Sequence, residues 1–428
     1  MKALAVLAVV LVAAPVWADE SAISLASLET KIDQSYGVRA AVAHVDAAKE
    51  AEAVAQAQAG WGYYGDASFG PRSDIVTSTT NNQAFRFEES AGVQHPLFGR
   101  AAAQQLAVGA AETDVLVATA ALHDQRTQAL ETLRTAYIEY WRYLHDAQVA
   151  DAFYRDQRSM QAAAKALVKT GFWTQANYLD YLELTAKSQT DRASFRSSAR
   201  AALTSIASAL GEDVAAFRPV EPSLDRACNM SLNDAVESSV RADPQTAEID
   251  ARLGQTRRQL DAVRGVSVDA LAHGGAGLQQ DVGKNAGYDV TVGVTASLPT
   301  HERSEERALR EQLVWNLAED ELLEQERRFA LSSEVSSAFA DLRDSRFELQ
   351  QARSDETSKL EALRESKVRF SGTVSAGASA FDDLQLRKSD LYVARVATID
   401  AQALLWTKGA ALSALAPDAC ETKSEAAK

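Results

Sequence analysis

The residues able to do chemistry are few and poorly spaced for it. Six histidines, His44, His95, His123, His145, His273 and His301, lie apart with no metal-ligand spacing. None accompanies a Ser or Cys at a recognisable nucleophile elbow. Two cysteines, Cys228 and Cys420, cannot make a zinc ribbon or an iron–sulfur site. The run Gly274-Gly275-Ala276-Gly277 falls between two strand patterns with no helix following, so it is not a phosphate loop. One acidic pair, Asp382-Asp383, is expected to start the last helix, where carboxylates favour the helix dipole. No enzyme, metal or cofactor is expected. The balance of 44 basic against 59 acidic residues, −15 in all, repels nucleic acid.

What such residues would serve is set by the elements around them. Lys2, an apolar run from Ala3 to Val12, Pro15 and Ala18 match a secretory leader, with cleavage after Ala18. The run is too short to span a bilayer, and nothing later approaches a transmembrane helix. No Cys follows the cleavage site to accept a lipid. The mature chain then has 410 residues (428 − 18) and, without Lys2, a charge of −16.

Prolines are absent from 97–218 and 300–416, and glycines are rare there. Such stretches predict long helices. Roughly 70 unbroken residues would span about 100 Å, the length of a coiled-coil rod. Leu130, Leu133, Tyr137, Tyr140, Leu144 and Ala147 step by heptad spacing, and Leu331, Val335, Ala338 and Leu342 repeat it. Gly171 and the pair Gly372/Gly377 interrupt the two blocks.

Thirteen of the 21 glycines fall in 60–99 and 265–293. Both windows alternate. Tyr288, Val290, Val292, Val294, Ala296 and Leu298 oppose Asp289, Thr291, Gly293, Thr295 and Ser297. Trp61, Tyr63, Ala67 and Phe69 oppose Tyr64, Asp66 and Ser68. One apolar and one small polar face is the pattern of transmembrane β-strands. The strands after Gly265 and around Phe85–Gln94 are less regular: Leu271 breaks one polar face and Glu89 one apolar face.

Landmarks recur with nearly one offset. Ser24 and Ser231, each opening a helix, lie 207 apart; Pro96 and Pro299, each ending a strand, 203 apart; Gly171 and Gly377, each at a helix break, 206 apart. This marks a duplication. The leader is 1–18 and the first repeat 19–211, with strands about 61–71 and 84–96 and helices about 97–170 and 173–211. The linker is 212–230. The second repeat is 231–416, with strands about 265–278 and 287–299 and helices about 300–370 and 381–416, and the tail is 417–428. Four strands cannot close a barrel, and open edges in lipid are costly, so in a membrane several chains must share one.

Val93-Gln94-His95-Pro96-Leu97-Phe98-Gly99-Arg100 resembles the strand-to-helix element of the TolC-type outer-membrane factors. Gly171-Phe172-Trp173-Thr174 with Asn177-Tyr178-Leu179 resembles that family's periplasmic tip, and Ala242-Asp243-Pro244 its Asn-Pro element. The second repeat departs from the pattern at Leu298-Pro299-Thr300-His301-Glu302, and its tip, 369–379, is about five residues longer than usual. The order and spacing of these motifs, over essentially the whole mature chain, carry the resemblance.

The resemblance implies an α+β fold of two repeats, each helix, β-hairpin, long helix and shorter helix. It implies a homotrimer with a 12-stranded outer-membrane barrel continued by a periplasmic helical tunnel. Its function would be the exit channel of a tripartite efflux pump or type I secretion system. Its partners would be a periplasmic adaptor (a membrane fusion protein), an inner-membrane transporter and outer-membrane lipid. Gly171, Phe172, Thr174, Asn177, Gly372 and Gly377 would form the adaptor-contact tips. Asp382 and Asp383 would line a periplasmic gate selecting cations, beside their reading as dipole partners. Cys228 and Cys420 follow equivalent helix ends, which in this family come together, so an intrachain disulfide is expected in the oxidising periplasm. Unpaired cysteines or a bond between chains are the alternatives. A soluble periplasmic coiled-coil scaffold or adaptor would explain the leader and helices but not the paired alternating strands. Three Met and six His speak against a dedicated soft-metal exporter.

Overall fold

The computed structural model describes residues 22–73, 83–222, 231–262, 269–281, 287–297, 303–372 and 377–416. The leader, both hairpin turns, Leu298-Pro299, Cys228, Cys420 and the proposed disulfide lie outside the described residues. The first repeat runs β1 (Ala22–Ile23), α1 (Leu25–Glu29), a 3₁₀ turn (Ile32–Gln34), α2 (Tyr36–Gln58), β2 (Gly62–Ser73), β3 (Gln83–Phe98), α3 (Gly99–Lys169) and α4 (Gln175–Leu210). β4 (Arg218–Pro219) lies in the linker. The second repeat runs α5 (Leu232–Ala242), α6 (Pro244–Ala262), β5 (Asp269–Asp281), β6 (Gly287–Ser297), α7 (Arg303–Gly372) and α8 (Gly377–Leu415).

The chain divides into two compact units, one of residues 37–126 and 232–335, the other of the remainder. The first unit holds a four-stranded antiparallel sheet of order β2-β3-β5-β6. Its helices carry a partly buried ion pair. Asp243 accepts from the backbone N–H of Thr246 at 2.8 Å and so caps α6, whose first residue, Pro244, needs no N–H partner. Arg327 on α7 grips the same carboxylate at 2.7 and 3.1 Å. Burial alone would raise the Asp243 pKa, but Arg327 and Thr246 outweigh it and hold it below the usual range.

In the second unit the heptad seam of α3 is the core. Leu133, Tyr137 and Tyr140 are buried with Leu25, Leu28, Ile206, Leu210 and Phe217, and Leu130 and Leu144 pack against them. Two short strands missing from the sequence reading, β1 and β4, pair in parallel and are tied down by the same seam. The Tyr137 hydroxyl lies 2.8 Å from the Ile23 carbonyl and 2.7 Å from that of Val220. Tyr140 donates to the Phe217 carbonyl at 2.9 Å. A two-residue strand has no periodicity to read, so no pattern could reveal it.

Several boundaries differ from expectation, with local causes. Pro96 does not end β3, which continues to Phe98. Pairing with β2 stops at Gln94, so Pro96 pairs only with Leu271 of β5 and its missing N–H breaks no ladder on the other side. Gly274–Gly277 lies inside β5 rather than between strands. β5 is described from Asp269, and Val266 and Val268 of the expected alternation lie outside the described residues. The last helix starts at Gly377, not near 381, and its first turn contains no acidic residue. Asp382 and Asp383 therefore sit in its second turn, and their reading as helix-start residues is corrected. One 18-residue window in Ala103–Lys169 reaches a mean hydropathy of 1.3, against the expectation that nothing after the leader would. The helix is alanine-rich there, and 28% of that window is buried within the chain.

Candidate functional site

The sheet has two chemically distinct faces. Register places Tyr63, Val93, Gly274 and Val292 in one row across the four strands. The rows two residues away on that face hold His95, Ala272 and Val294, and Gly65, Ala91, Ala276 and Val290. Tyr63 is 89% exposed, Val292 88% and Tyr288 87%, so the described residues leave these three side chains uncovered. Aromatic residues mark both margins of the face: Trp61 and Tyr63 at the end nearest the helices, Phe69, Phe87 and Tyr288 near the turns. Trp61 to Phe69 covers eight residues, about 27 Å along an extended strand. Aliphatic and small residues between two aromatic girdles are what a lipid-facing band requires. Glu89 shares a row with Ala67, Leu278 and Tyr288, which puts its carboxylate at the turn-side margin rather than mid-band.

The opposite face is small and polar, and rings lie over its glycines. A Cβ on Gly92 would come 2.7 Å from both the Gly275 Cα and the Tyr64 ring, and would collide with the Gly274 carbonyl. A Cβ on Gly275 would strike the Tyr64 hydroxyl. Tyr64 thus reaches across β3 to β5, and His273 lies in the same way over Gly293 of β6. Gly92, Gly275 and Gly293 have this cause: close strand approach beneath cross-strand rings. β2 and β6 form the sheet's two edges, with no strand beyond them among the described residues.

The helical tips form the second candidate region. α3 ends at Lys169, and Gly171 takes φ +75°, a left-handed turn that a Cβ would strain. Phe172 stays 61% exposed. Thr174 caps α4, accepting from the Asn177 N–H at 3.2 Å. Gly372 ends α7 and Gly377 begins α8, while 373–376 lie outside the described residues.

The structure joins the first tip to the acidic pair through a residue to which the sequence reading gave no role. Trp173 is buried, packs edge-on against Phe381 at 5.0 Å and donates its indole N–H to Asp382 at 3.1 Å. The two neighbouring carboxyls then diverge. Burial raises the Asp382 pKa, and the indole only partly offsets it. For Asp383, the Ser366 hydroxyl and then the Arg387 and Arg369 guanidiniums hold the pKa down; Arg387 lies 3.3 Å away. Lys388, 8% exposed at its side chain, pairs with Asp156 at 2.7 Å and ties α8 to α3. Among the described residues, no group of three or more His, Cys, Asp or Glu side chains is placed to hold a metal.

Solved structures share this fold over nearly the whole chain. The outer-membrane channel OprN superposes with a TM-score of 0.76 at 16% identity, covering 91% of this chain and 89% of its own. The fold is that of outer-membrane channels. The outer-membrane protein VceC of Vibrio cholerae matches at TM-score 0.72 and 14% identity, over 92% of this chain and 96% of its own. CusC, solved in connection with transmembrane channel formation, matches at 0.76 and 13%, over 92% of each chain. No family model and no curated protein matches the sequence.

Proposed function

We propose that this protein is the outer-membrane channel of an export system of the tripartite efflux or type I secretion kind. The observation that carries the reading is the sheet. Its exposed apolar face has aromatic girdles at both margins, and β2 and β6 are left as edges. Edges in lipid leave several kcal/mol unsatisfied per backbone group, so closure is required. Four strands per chain close as 12 when three copies pair β6 of one with β2 of the next. α8 supports the same assembly. Leu386, Val393 and Leu404 are exposed at spacings of 7 and 11, an apolar stripe on one helix face. An aqueous duct would not be lined by it; a neighbouring copy would cover it.

The helical tips then form the periplasmic end. Gly171, Phe172, Thr174, Asn177, Gly372 and Gly377 meet an adaptor protein that bridges to an inner-membrane transporter. Asp382 and Asp383 stand near the entrance and favour cations. The test is membrane insertion. Val292→Asp puts a charge on the lipid face and abolishes the heat-modifiable trimer in outer-membrane fractions, whereas Thr291→Asp, on the other face, is tolerated. Recovery of the wild-type chain as a soluble periplasmic monomer would refute the channel.

A further inference from the structure

A groove of about 1150 Å³ in the helical unit lies where α3 and α4 meet β1 and the linker. Its walls include the buried rings of Tyr140 and Trp141, and three arginines, Arg196, Arg200 and Arg218, stand around it. None of the three forms an ion pair with a described residue. Of the two carboxylates on the groove, Asp151 is already held by Arg192 at 2.8 Å and Arg155 at 3.2 Å, leaving only Glu221 against three cations. In a chain of net charge −15, an apolar groove with three arginines against one uncommitted carboxylate suits an acidic partner.

The same chain carries a matching surface on α7. Phe347 is 62% exposed, and Asp344 and Glu348 flank it on the same helix face. Among the described residues Asp344 pairs only with its chain neighbour Arg343, at 3.9 Å, and its side chain is 67% exposed. The two surfaces stand at nearly the same level along the helices. Arg192–Asp151 fixes α4 on α3. Trp141–Trp406, with centroids 4.5 Å apart, and Phe153–Tyr392, 4.6 Å apart, fix α8 on α3. Lys408–Asp341 at 2.7 Å and Thr398–Ala352 at 3.4 Å fix α7 on α8. Carried across these contacts, Arg196 and Arg200 stand within about one helical turn of the level of Glu348 and Asp344. Rotation about an axis parallel to the helices keeps levels unchanged and brings different faces together, which is the condition for a closed head-to-tail ring.

We propose that this groove is the seat for a second copy of the chain. The partner's Phe347 enters between Trp141 and the arginines, the partner's Glu348 pairs with Arg196, and the partner's Asp344 pairs with Arg200. This rests on the homotrimer proposed above. α4 and the partner's α7 run antiparallel, so two i,i+4 pairs meet in register and set the rotational order of the ring.

A photo-crosslinking amino acid at position 347 tests the seat in the full-length protein in detergent. The expected result is a crosslink between chains that maps to α4 near 196–203 or to Trp141. Arg196→Glu with Arg200→Glu should remove the unheated trimer band, and adding Asp344→Arg with Glu348→Arg should restore it. All four sites are solvent-facing helix positions, so circular dichroism should show the helices kept in every variant. A trimer whose crosslink maps elsewhere, or which ignores both charge reversals, overturns the seat and leaves the channel reading standing. A wild-type chain that is monomeric overturns both.

Discussion

Asp146 is the perturbation with the largest expected effect in the helical unit. It is 1% exposed on α3, and its Oδ1 has no hydrogen-bond partner among the described residues. Burial first, and then the nearby Asp400 carboxylate, raise its pKa from 3.8 to about 7, with Arg142 pulling the other way. Arg142 is itself engaged with Asp400 at 3.7 Å, and Tyr392 on α8 is the remaining titratable group that feels the charge. Because the folded state favours the neutral acid, the contribution of Asp146 is complete below pH 4 and is lost as pH rises through 7. The gap between 3.8 and about 7 corresponds to about 4 kcal/mol at 1.36 kcal/mol per pH unit. Water drawn toward the carboxylate reduces the realised loss to about 2–4 kcal/mol. Asp146→Asn keeps the volume and removes the titration. Guanidinium unfolding of the purified protein, followed by circular dichroism, should give equal midpoints for both proteins near pH 4. The variant should become progressively more stable up to pH 7 and hold a constant advantage above it. Parallel profiles from pH 4 to 9 would show that the carboxyl is hydrated and the reasoning wrong.

Asp243→Ala removes both the α6 cap and the partner of Arg327, and should cost about 3–5 kcal/mol in the same unfolding assay. Asp243→Asn keeps a cap and should lose less. Since the Asp243 pKa is depressed, its contribution holds above pH 4 and disappears as pH falls below that, the opposite sense to Asp146. Gly92→Ala should prevent assembly of the heat-modifiable form, and Tyr64→Ala should not rescue it, because the added Cβ still meets the Gly274 carbonyl. In planar bilayers, replacing Asp382 and Asp383 by Ala should reduce cation selectivity. Trp173→Phe removes the hydrogen bond that lowers the Asp382 pKa, so cation selectivity should begin to fall at a higher pH than in the wild type.

The parts of this fold with long period were legible. Heptad spacing placed Leu133, Tyr137 and Tyr140 in a core, and alternation put Tyr288, Val290, Val292 and Val294 on one exposed face, because both patterns report burial directly. Glycine was read as a marker of strands, but its cause was invisible. Only the register shows Tyr64 lying across Gly92 and Gly275. Pro96 misled because a proline is read as a stop, whereas here it pairs on one side only, beyond the end of β2. The start of α8 was displaced for a related reason. Its first residues, Gly377-Ala378-Ser379, carry no apolar period, so the pattern becomes readable only at Phe381.

The acidic pair shows where sequence reasoning ends. Asp382 and Asp383 are chemically identical neighbours, and sequence could assign them only one joint role. Successive helix positions differ by about 100° in direction, so adjacent side chains enter different surroundings. Asp382 turns to Trp173 on the other tip and is pushed up by burial, while Asp383 turns to Ser366 of α7 and to Arg387 and is held down. A ring of three Asp382 and three Asp383 side chains would therefore titrate in two steps. The step at higher pH belongs to the carboxyl anchored by Trp173, so acidification removes first the charge whose hydrogen bond joins the two tips. Selectivity and tip packing are then linked through one indole. A measured pH profile of selectivity with a single step, unchanged by Trp173→Phe, would show that the two carboxyls share one environment.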